Sequence, residues 1–335
     1  MYFCIAKNNK EWQEGAKLAV SIFNGLSGSN VSERRKSALW LNDPTFQLKN
    51  LILVKNNDHK IIGMVRLVPR ILYKGIKSYK VVGFSSICLD PVYRGKGISI
   101  ELINYAIKKA NDYKFDFAML FARRALDHFY NKFGFWGVSS YNKLRIKRPT
   151  KVENNEQIFL SPISTVNDKK FNSAYKLSYK NVFGRMDRNP KYWLNLINKC
   201  KNLNLKFDRI IQKNTTIGYC IYDGYSIYEI SILDSNKYPS IVKFLFNNSE
   251  FETLELFISA DHALVSNLCG FDIELSYREC SWGGHMIRPL RKYHSTTTTP
   301  SYQETLEYFK ISIFTQFNRD TLNYRPFNIC LFDEL

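Results

Sequence analysis

The strongest constraint on this chain lies in residues 81–135, where an apolar segment stops at a glycine-containing basic loop and a helical pattern starts at once. The loop reads Asp90-Pro91-Val92-Tyr93-Arg94-Gly95-Lys96-Gly97-Ile98-Ser99. Before it, Val81 to Leu89 is rich in small and β-branched residues, as a strand should be. After it, Leu102, Ile103, Ala106, Ile107 and Ala110 recur at helical spacing. A short glycine loop between strand and helix points backbone N–H groups at an anion, where the helix dipole also favours negative charge. Arg94 and Lys96 add side-chain charge at the same place. Phe115 to Phe121 then suits a further buried strand, ahead of Phe129-Tyr130-Asn131-Lys132-Phe133-Gly134-Phe135.

Two other phosphate-binding patterns are excluded. A dinucleotide fingerprint needs a small residue three positions after its second glycine, and Ile100 stands there. A P-loop needs Gly, four residues and then Gly-Lys-Ser/Thr, and no such string occurs. What remains resembles the core of the GCN5-related N-acetyltransferases (GNATs), whose loop is Arg/Gln-x-x-Gly-x-Gly/Ala. The counterpart is Arg94-x-x-Gly97-x-Ser99, with Ser99 where Gly or Ala is usual.

The resemblance implies an α/β (α+β) fold, a mixed central sheet flanked by helices. The expected order is strand, two helices, three strands, helix, strand, helix, strand. Tyr2–Ile5 opens it, and Trp12, Ala16, Ala19, Val20 and Phe23 mark one face of the first helix. A second short helix is expected near Ser32–Trp40. Residues 51–55, 61–73 and 79–89 read as strands, with Asn56-Asn57-Asp58 as a turn, and Tyr141–Ile146 closes the first sheet.

At 335 residues the chain is long for one domain. Its second half repeats parts of the first. Ile61-Ile62-Gly63-Met64-Val65 resembles Thr216-Ile217-Gly218-Tyr219-Cys220. Asp127-His128 before Phe133-Gly134-Phe135 resembles Asp261-His262 before Cys269-Gly270-Phe271. No Arg-x-x-Gly-x-Gly/Ala string lies between Tyr222 and Phe251, so a second, degenerate GNAT-like domain without the loop is expected. Residues 183–193, from Phe183 to Trp193, resemble the opening of the second domain of Eis-like acetyltransferases, with Trp193 as a core anchor. Residues 282–290 resemble the strand closing that domain. The expected division is 1–150 for the acyl-CoA-binding domain, 151–293 for the degenerate domain, and 294–335 for linker and tail.

The net charge of +18 invites a nucleic-acid reading. Lysine supplies most of it, 31 Lys against 17 Arg, and the lysines are spread along the whole chain. An anionic cofactor accounts for part of the bias, and no nucleic-acid partner is expected. No apolar run spans a bilayer and the N-terminus lacks a signal-peptide layout. Seven cysteines form no Cys-x-x-Cys pair and five histidines show no ligand spacing, so neither disulfides nor a metal are expected. The expected setting is a reducing cytoplasm without membrane partners, and self-association into a homo-oligomer stays open.

The resemblance also implies the chemistry. Acetyl-CoA, or another acyl-CoA, would place its pyrophosphate on the amides of Arg94, Gly95, Lys96, Gly97, Ile98 and Ser99. Its pantetheine arm would lie along the strand edge at Ile87, Cys88 and Leu89. Tyr130 is where the family places an acid for the departing thiolate. Arg123 replaces a family Asn that touches the cofactor. In Eis-like enzymes the terminal carboxylate reaches the site, which here is that of Leu335, with Asp333 and Glu334 as rivals. The expected activity is N-acyl transfer to a small-molecule amine such as an amino sugar, aminoglycoside or peptide amine. The alternatives are a non-catalytic CoA-binding module and a basic nucleic-acid-binding protein.

Overall fold

The computed structural model describes residues 1–27, 43–122, 124–138, 142–150, 157–163, 169–276, 284–291, 299–311 and 328. The first half runs β1 (Tyr2–Ile5), α1 (Asn9–Ser27), β2 (Leu51–Lys55), β3 (Ile61–Lys74), β4 (Lys77–Leu89), α2 (Ile98–Asp112), β5 (Phe117–Phe121), α3 (Asp127–Asn131) and β6 (Trp136–Gly137). It continues with β7 (Lys143–Lys147), β8 (Ile158–Pro162), α4 (Lys169–Ser178), β9 (Arg185–Met186), α5 (Pro190–Asn202), β10 (Lys206–Gln212), β11 (Thr215–Asp223) and β12 (Ser226–Ile232). The last elements are α6 (Tyr238–Asn247), β13 (Thr253–Leu256), α7 (Ala263–Ser266), β14 (Ile273–Ser276), β15 (His285–Pro289) and α8 (Tyr302–Phe309). The helix expected near Ser32–Trp40 lies outside the described residues.

Two mixed sheets result. The first has the order β1-β2-β3-β4-β5-β15-β6, with β9 also pairing to β3; the second runs β8-β10-β11-β12-β13-β7-β14. In both, the fourth and fifth strands pair in parallel and the other neighbours along these orders are antiparallel. The repeats seen in the sequence fall at matching places: Gly63 and Gly218 are on the third strand of their sheets, and Gly134 and Gly270 precede the last.

Along each strand order, one strand comes from the other side of the expected boundary at 150, and β9, off the first order, does so too. β7, expected to close the first sheet, lies between β13 and β14 in the second. β15, expected to close the second, lies between β5 and β6 in the first, with Met286 opposite Leu120 and Ile287 opposite Met119. The expected boundary at 150 therefore cuts across both sheets, with β7 before it in the second and β15 after it in the first. Burial fits the exchange: β15 is buried along its whole length, whereas β7 buries Leu144 and Ile146 and exposes Arg145 and Lys147.

Helix α2 packs its Leu102, Ile103, Ala106, Ile107 and Ala110 face on Val65, Val82, Phe84, Ala118 and Leu120. On the opposite face of the same sheet, Trp12, Ala16 and Ala19 of α1 cover Leu51, Leu53, Met64 and Cys88. Beside α1, residues from the second half meet that face: Phe183, Met186 and Tyr192 join Leu72, Tyr79, Val81, Phe117 and Ile287. The C-terminal segment docks there too. Ser301 and Glu304 form a capping box that starts α8, and Lys74 Nζ donates to the carbonyls of Phe309 and Lys310 at its end, 2.8 Å each. A Cβ at Gly134, where φ is +73°, would lie 2.6 Å from the Pro300 ring, so the turn before β6 and this segment fit only without a side chain.

Beside the second sheet Trp193 is a core anchor, 4% exposed. Its neighbour Arg188 carries a role the sequence did not disclose. The Arg188 guanidinium forms a two-pronged ion pair with Glu229, 2.6 and 2.8 Å, and both side chains are fully buried. Tyr219 donates a short hydrogen bond to the same carboxylate, and Arg188 lies 3.9 Å from the Tyr175 ring centroid and 4.9 Å from that of Trp193. Removing one partner strands a buried charge. Arg188→Leu is therefore expected to cost about 3–5 kcal/mol in urea denaturation. A value below about 1 kcal/mol, the range of exposed pairs, would show that Glu229 finds other compensation.

Candidate active site

The site begins with an irregularity in β4. Its pairing with β3 slips between Met64 and Arg66, and Ser86 takes a φ of +52°. A serine in left-handed backbone marks a bulge that turns the end of the strand. On its other side β4 pairs with β5 only at Val81, Val82 and Gly83, opposite Phe117, Ala118 and Met119. Beyond that the strands no longer pair, although β4 runs on to Leu89 and β5 to Phe121. The two strands open into a wedge in the sheet.

The basic loop stands at the mouth of this wedge. Asp90 accepts from Val92 N at 3.1 Å and holds the single 3-10 turn Pro91–Tyr93. Gly95 and Gly97 follow with φ of +75° and +77°, and Gly97 caps α2. An ideal Cβ on either glycine would meet nothing within 4 Å, so the space in front of the loop is open. Among the described residues, the amides of Gly95, Lys96, Gly97, Ile98 and Ser99 donate to no protein acceptor. Arg94 and Lys96 are exposed beside them, and Lys96 Nζ lies 5.5 Å from the Tyr93 ring centroid. Unused amides at a helix N-terminus with two flanking cations form an anion cradle of the kind that holds a pyrophosphate.

The other expected residues group around this cradle as follows. Ile98, Leu89 and Tyr130 share one buried cluster, with Ile87 packed against it. Cys88 points the other way, into the α1 cluster, so it can serve the wedge only through its backbone. Ser99, on the first turn of α2, is half-buried. Tyr130 is buried beside Phe129 and Phe135, with ring centroids 5.1 and 6.4 Å away, and burial pushes its hydroxyl up to about 12. His128 is exposed on α3. Arg123 and Leu335, with Asp333 and Glu334, lie outside the described residues. Asn328, in the same tail, is buried and its backbone N–H donates to Phe183 O at 2.9 Å.

The sequence reading missed a charged cluster on the α1 face. Asp43 receives Arg66 at 2.6 Å and Arg70 at 2.8 and 3.1 Å, while Arg70 also donates to Thr45 at 2.6 Å. Burial pushes the Asp43 carboxyl up, but the hydrogen bond and charge of Arg70 and the charge of Arg66 outweigh it and leave it well below the ordinary value. A depressed carboxyl contributes stability above its unfolded value near 4, and that contribution is lost as pH falls below it. Two arginines at even spacing in an otherwise apolar strand were the available signal.

The second sheet keeps the wedge and lacks the cradle. Its parallel pair β12–β13 matches only Ser226 with Glu255 and Ile227 with Leu256. Asp234 accepts from Asn236 N as Asp90 does from Val92 N, but α6 begins directly after the Ser235–Lys237 turn. No segment corresponding to Arg94–Gly97 intervenes. Among the described residues no group of three His, Cys, Asp or Glu is placed to hold a metal, and no helix is long and apolar enough to cross a membrane.

Residues 9–139 match the family model described as an acetyltransferase (GNAT) domain. No curated protein matches the chain. Solved structures share its fold at low identity. A GCN5-related N-acetyltransferase from Anabaena variabilis is 18% identical with a TM-score of 0.67, covering 87% of this chain and 74% of its own. Eis1 from Mycobacterium abscessus is 15% identical with a TM-score of 0.62, covering 86% and 73%. N-myristoyltransferase from Saccharomyces cerevisiae, solved with myristoyl-CoA, is 10% identical with a TM-score of 0.52, covering 85% and 82%.

Proposed function

Residues 9–139 form a GNAT domain and the whole chain has the GNAT fold, and from this we propose an acyl-CoA-dependent N-acyltransferase that moves an acetyl group to the amine of a small molecule. The observation that carries the reading is the coincidence of an open wedge between β4 and β5 with a cradle of unused amides at the N-terminus of α2. One without the other, as in the second sheet, offers no place for both ends of a long anionic cofactor.

Acetyl-CoA in the wedge would supply an activated acyl carbon and a thiol leaving group. The loop amides, Arg94 and Lys96 bind its phosphates, and the edge of β4 at Ile87–Leu89, unpaired with β5, offers the backbone groups that an extended arm pairs with. Tyr130 supplies a proton-bearing hydroxyl. At about 12 it is protonated throughout the physiological range. The phenol would serve as a hydrogen-bond donor to the departing thiolate of a bound thioester. Tyr130→Phe keeps the packing and removes that donor. Turnover is expected to fall about a hundredfold with little change in acetyl-CoA affinity. Wild-type turnover, with chemistry rate-limiting, would leave Tyr130 as a packing residue.

Thermal-shift titration and a thiol-release screen over amines test the reading together. Acetyl-CoA at a hundredfold excess over its dissociation constant should stabilise the fold by about 2.7 kcal/mol. Stabilisation without thiol release from any amine would favour a non-catalytic CoA-binding module. Stabilisation by oligonucleotides alone would favour nucleic-acid binding.

A further inference from the structure

We propose that His285, carried into the first sheet by the exchanged strand β15, takes the proton from the acceptor amine. This rests on the acyltransferase reading above and names a group that reading leaves unassigned. The argument is one of register and face. β5 is antiparallel to β15 with Phe121 opposite His285, and parallel to β4 with Met119 opposite Gly83. That register, continued by two residues past its last pair, sets Phe121 at the level of Ser85, where β4 and β5 no longer pair. Ser85 pairs in turn with Arg66 of β3. Arg66, Ser85, Phe121 and His285 thus form one row across the sheet, interrupted by the wedge.

The row faces the right side. Side chains two apart on a strand share a face. Val81, Met119 and Ile287 belong to the cluster opposite α2, and Phe121 packs against it. His285 is two residues from Ile287 and its ring lies edge-on to Phe121, 4.7 Å between centroids. The anion cradle sits at the start of α2, on the other face. A cofactor anchored by its phosphates on the α2 face and threaded through the wedge presents its acyl end to the face that carries His285. Neighbouring strands are about 4.8 Å apart, so His285 is one strand beyond the lip of the wedge.

The chemistry needs a group there. An amine reaches the enzyme as R–NH3⁺ and attacks only with a free electron pair. One N–H bond of the ammonium breaks, its electron pair stays on the amine nitrogen, and the proton forms an N–H bond on the imidazole. The imidazolium then returns the proton to solvent. A ring nitrogen of an imidazole can accept such a proton and pass it on. The His285 ring is 2% exposed and its carbonyl accepts from Val138 N at 2.9 Å, so its position is held on both sides.

The test compares two acceptors in one preparation. The first is the primary alkylamine that gives most thiol among glucosamine, kanamycin and a lysine peptide; the second is hydroxylamine, which is neutral at mildly alkaline pH and has no proton to lose before attack. In His285→Gln, turnover of the alkylamine should fall about a hundredfold and that of hydroxylamine only a few-fold, with acetyl-CoA affinity by calorimetry unchanged. The ratio of the two rates does not depend on the folded fraction, and His285→Asn should shift it the same way. Equal losses with both amines, or no loss, in a variant that binds acetyl-CoA normally would overturn the assignment of His285 alone. A wild-type protein that fails to bind acetyl-CoA would overturn the acyltransferase reading, and this one with it.

Discussion

A chain ended at residue 150 is expected to lose cooperative unfolding and acetyl-CoA binding together. Such a fragment contains the whole matched domain, residues 9–139, and by length would pass for an independent unit. It lacks β15, which fills the gap between β5 and β6. Met286, Ile287 and Leu290, all nearly or fully buried, would be missing from two clusters that meet in this sheet. At about 1.5–3 kcal/mol for each large apolar side chain, the loss approaches the entire stability of an ordinary domain, about 5–15 kcal/mol. The fragment would also keep β7, whose Leu144 and Ile146 pack in the second sheet and would then face water. Urea denaturation followed by circular dichroism, with calorimetric titration of acetyl-CoA, gives the answer. A single sharp transition and full-length affinity would mean that the first sheet closes without the exchanged strand.

Gly97→Val should leave the fold standing and remove the cofactor. The residue caps α2 with φ at +77°, a conformation that a β-branched side chain adopts at a cost of about 1–3 kcal/mol. A Cβ there meets no protein atom within 4 Å, so the folded chain has room for it. The new side chain would project instead into the space in front of the loop amides. Acetyl-CoA affinity is expected to drop by about a hundredfold or more, equivalent to about 2.7 kcal/mol or more. The melting temperature should move only modestly. Gly97→Ala, with a smaller obstruction at the same φ, should fall between the two. Unchanged affinity in a folded Gly97→Val protein would exclude this loop as the phosphate site.

How much was legible followed from how local each signal is. Gly95, Gly97 and the flanking Arg94 and Lys96 could be placed at a strand–helix junction because turn chemistry and helix initiation depend on adjacent residues. The α2 face of Leu102, Ile103, Ala106, Ile107 and Ala110 was buried as its spacing required. The charged groups behaved differently. Arg188 and Glu229 lie forty-one positions apart, and nothing in either neighbourhood marks them as one buried pair. His285 stands beside Phe121 through a pairing that spans about half of the chain.

The sequence by itself determined the local parts of this protein: the strand–loop–helix at residues 81–112, the absence of such a loop between Tyr222 and Phe251, and the faces by which α1, α2 and the strands meet a core. Tertiary structure alone decided which sheet each late strand joins. The physical reason is that strand periodicity specifies faces and not partners, since main-chain hydrogen bonding is the same for any strand of suitable pleat. β7 and β15 both suit an antiparallel slot between a fifth strand and an edge. The choice between them rests on total burial. The slot beside β5 is covered on both faces, by the α2 cluster and by residues of the second half and the tail. It takes Met286 and Ile287 with Arg288, whose guanidinium donates to the Phe133 carbonyl. The slot beside β13 leaves one face to solvent and takes β7, whose Arg145 pairs with Glu255 and whose Lys147 pairs with Asp272.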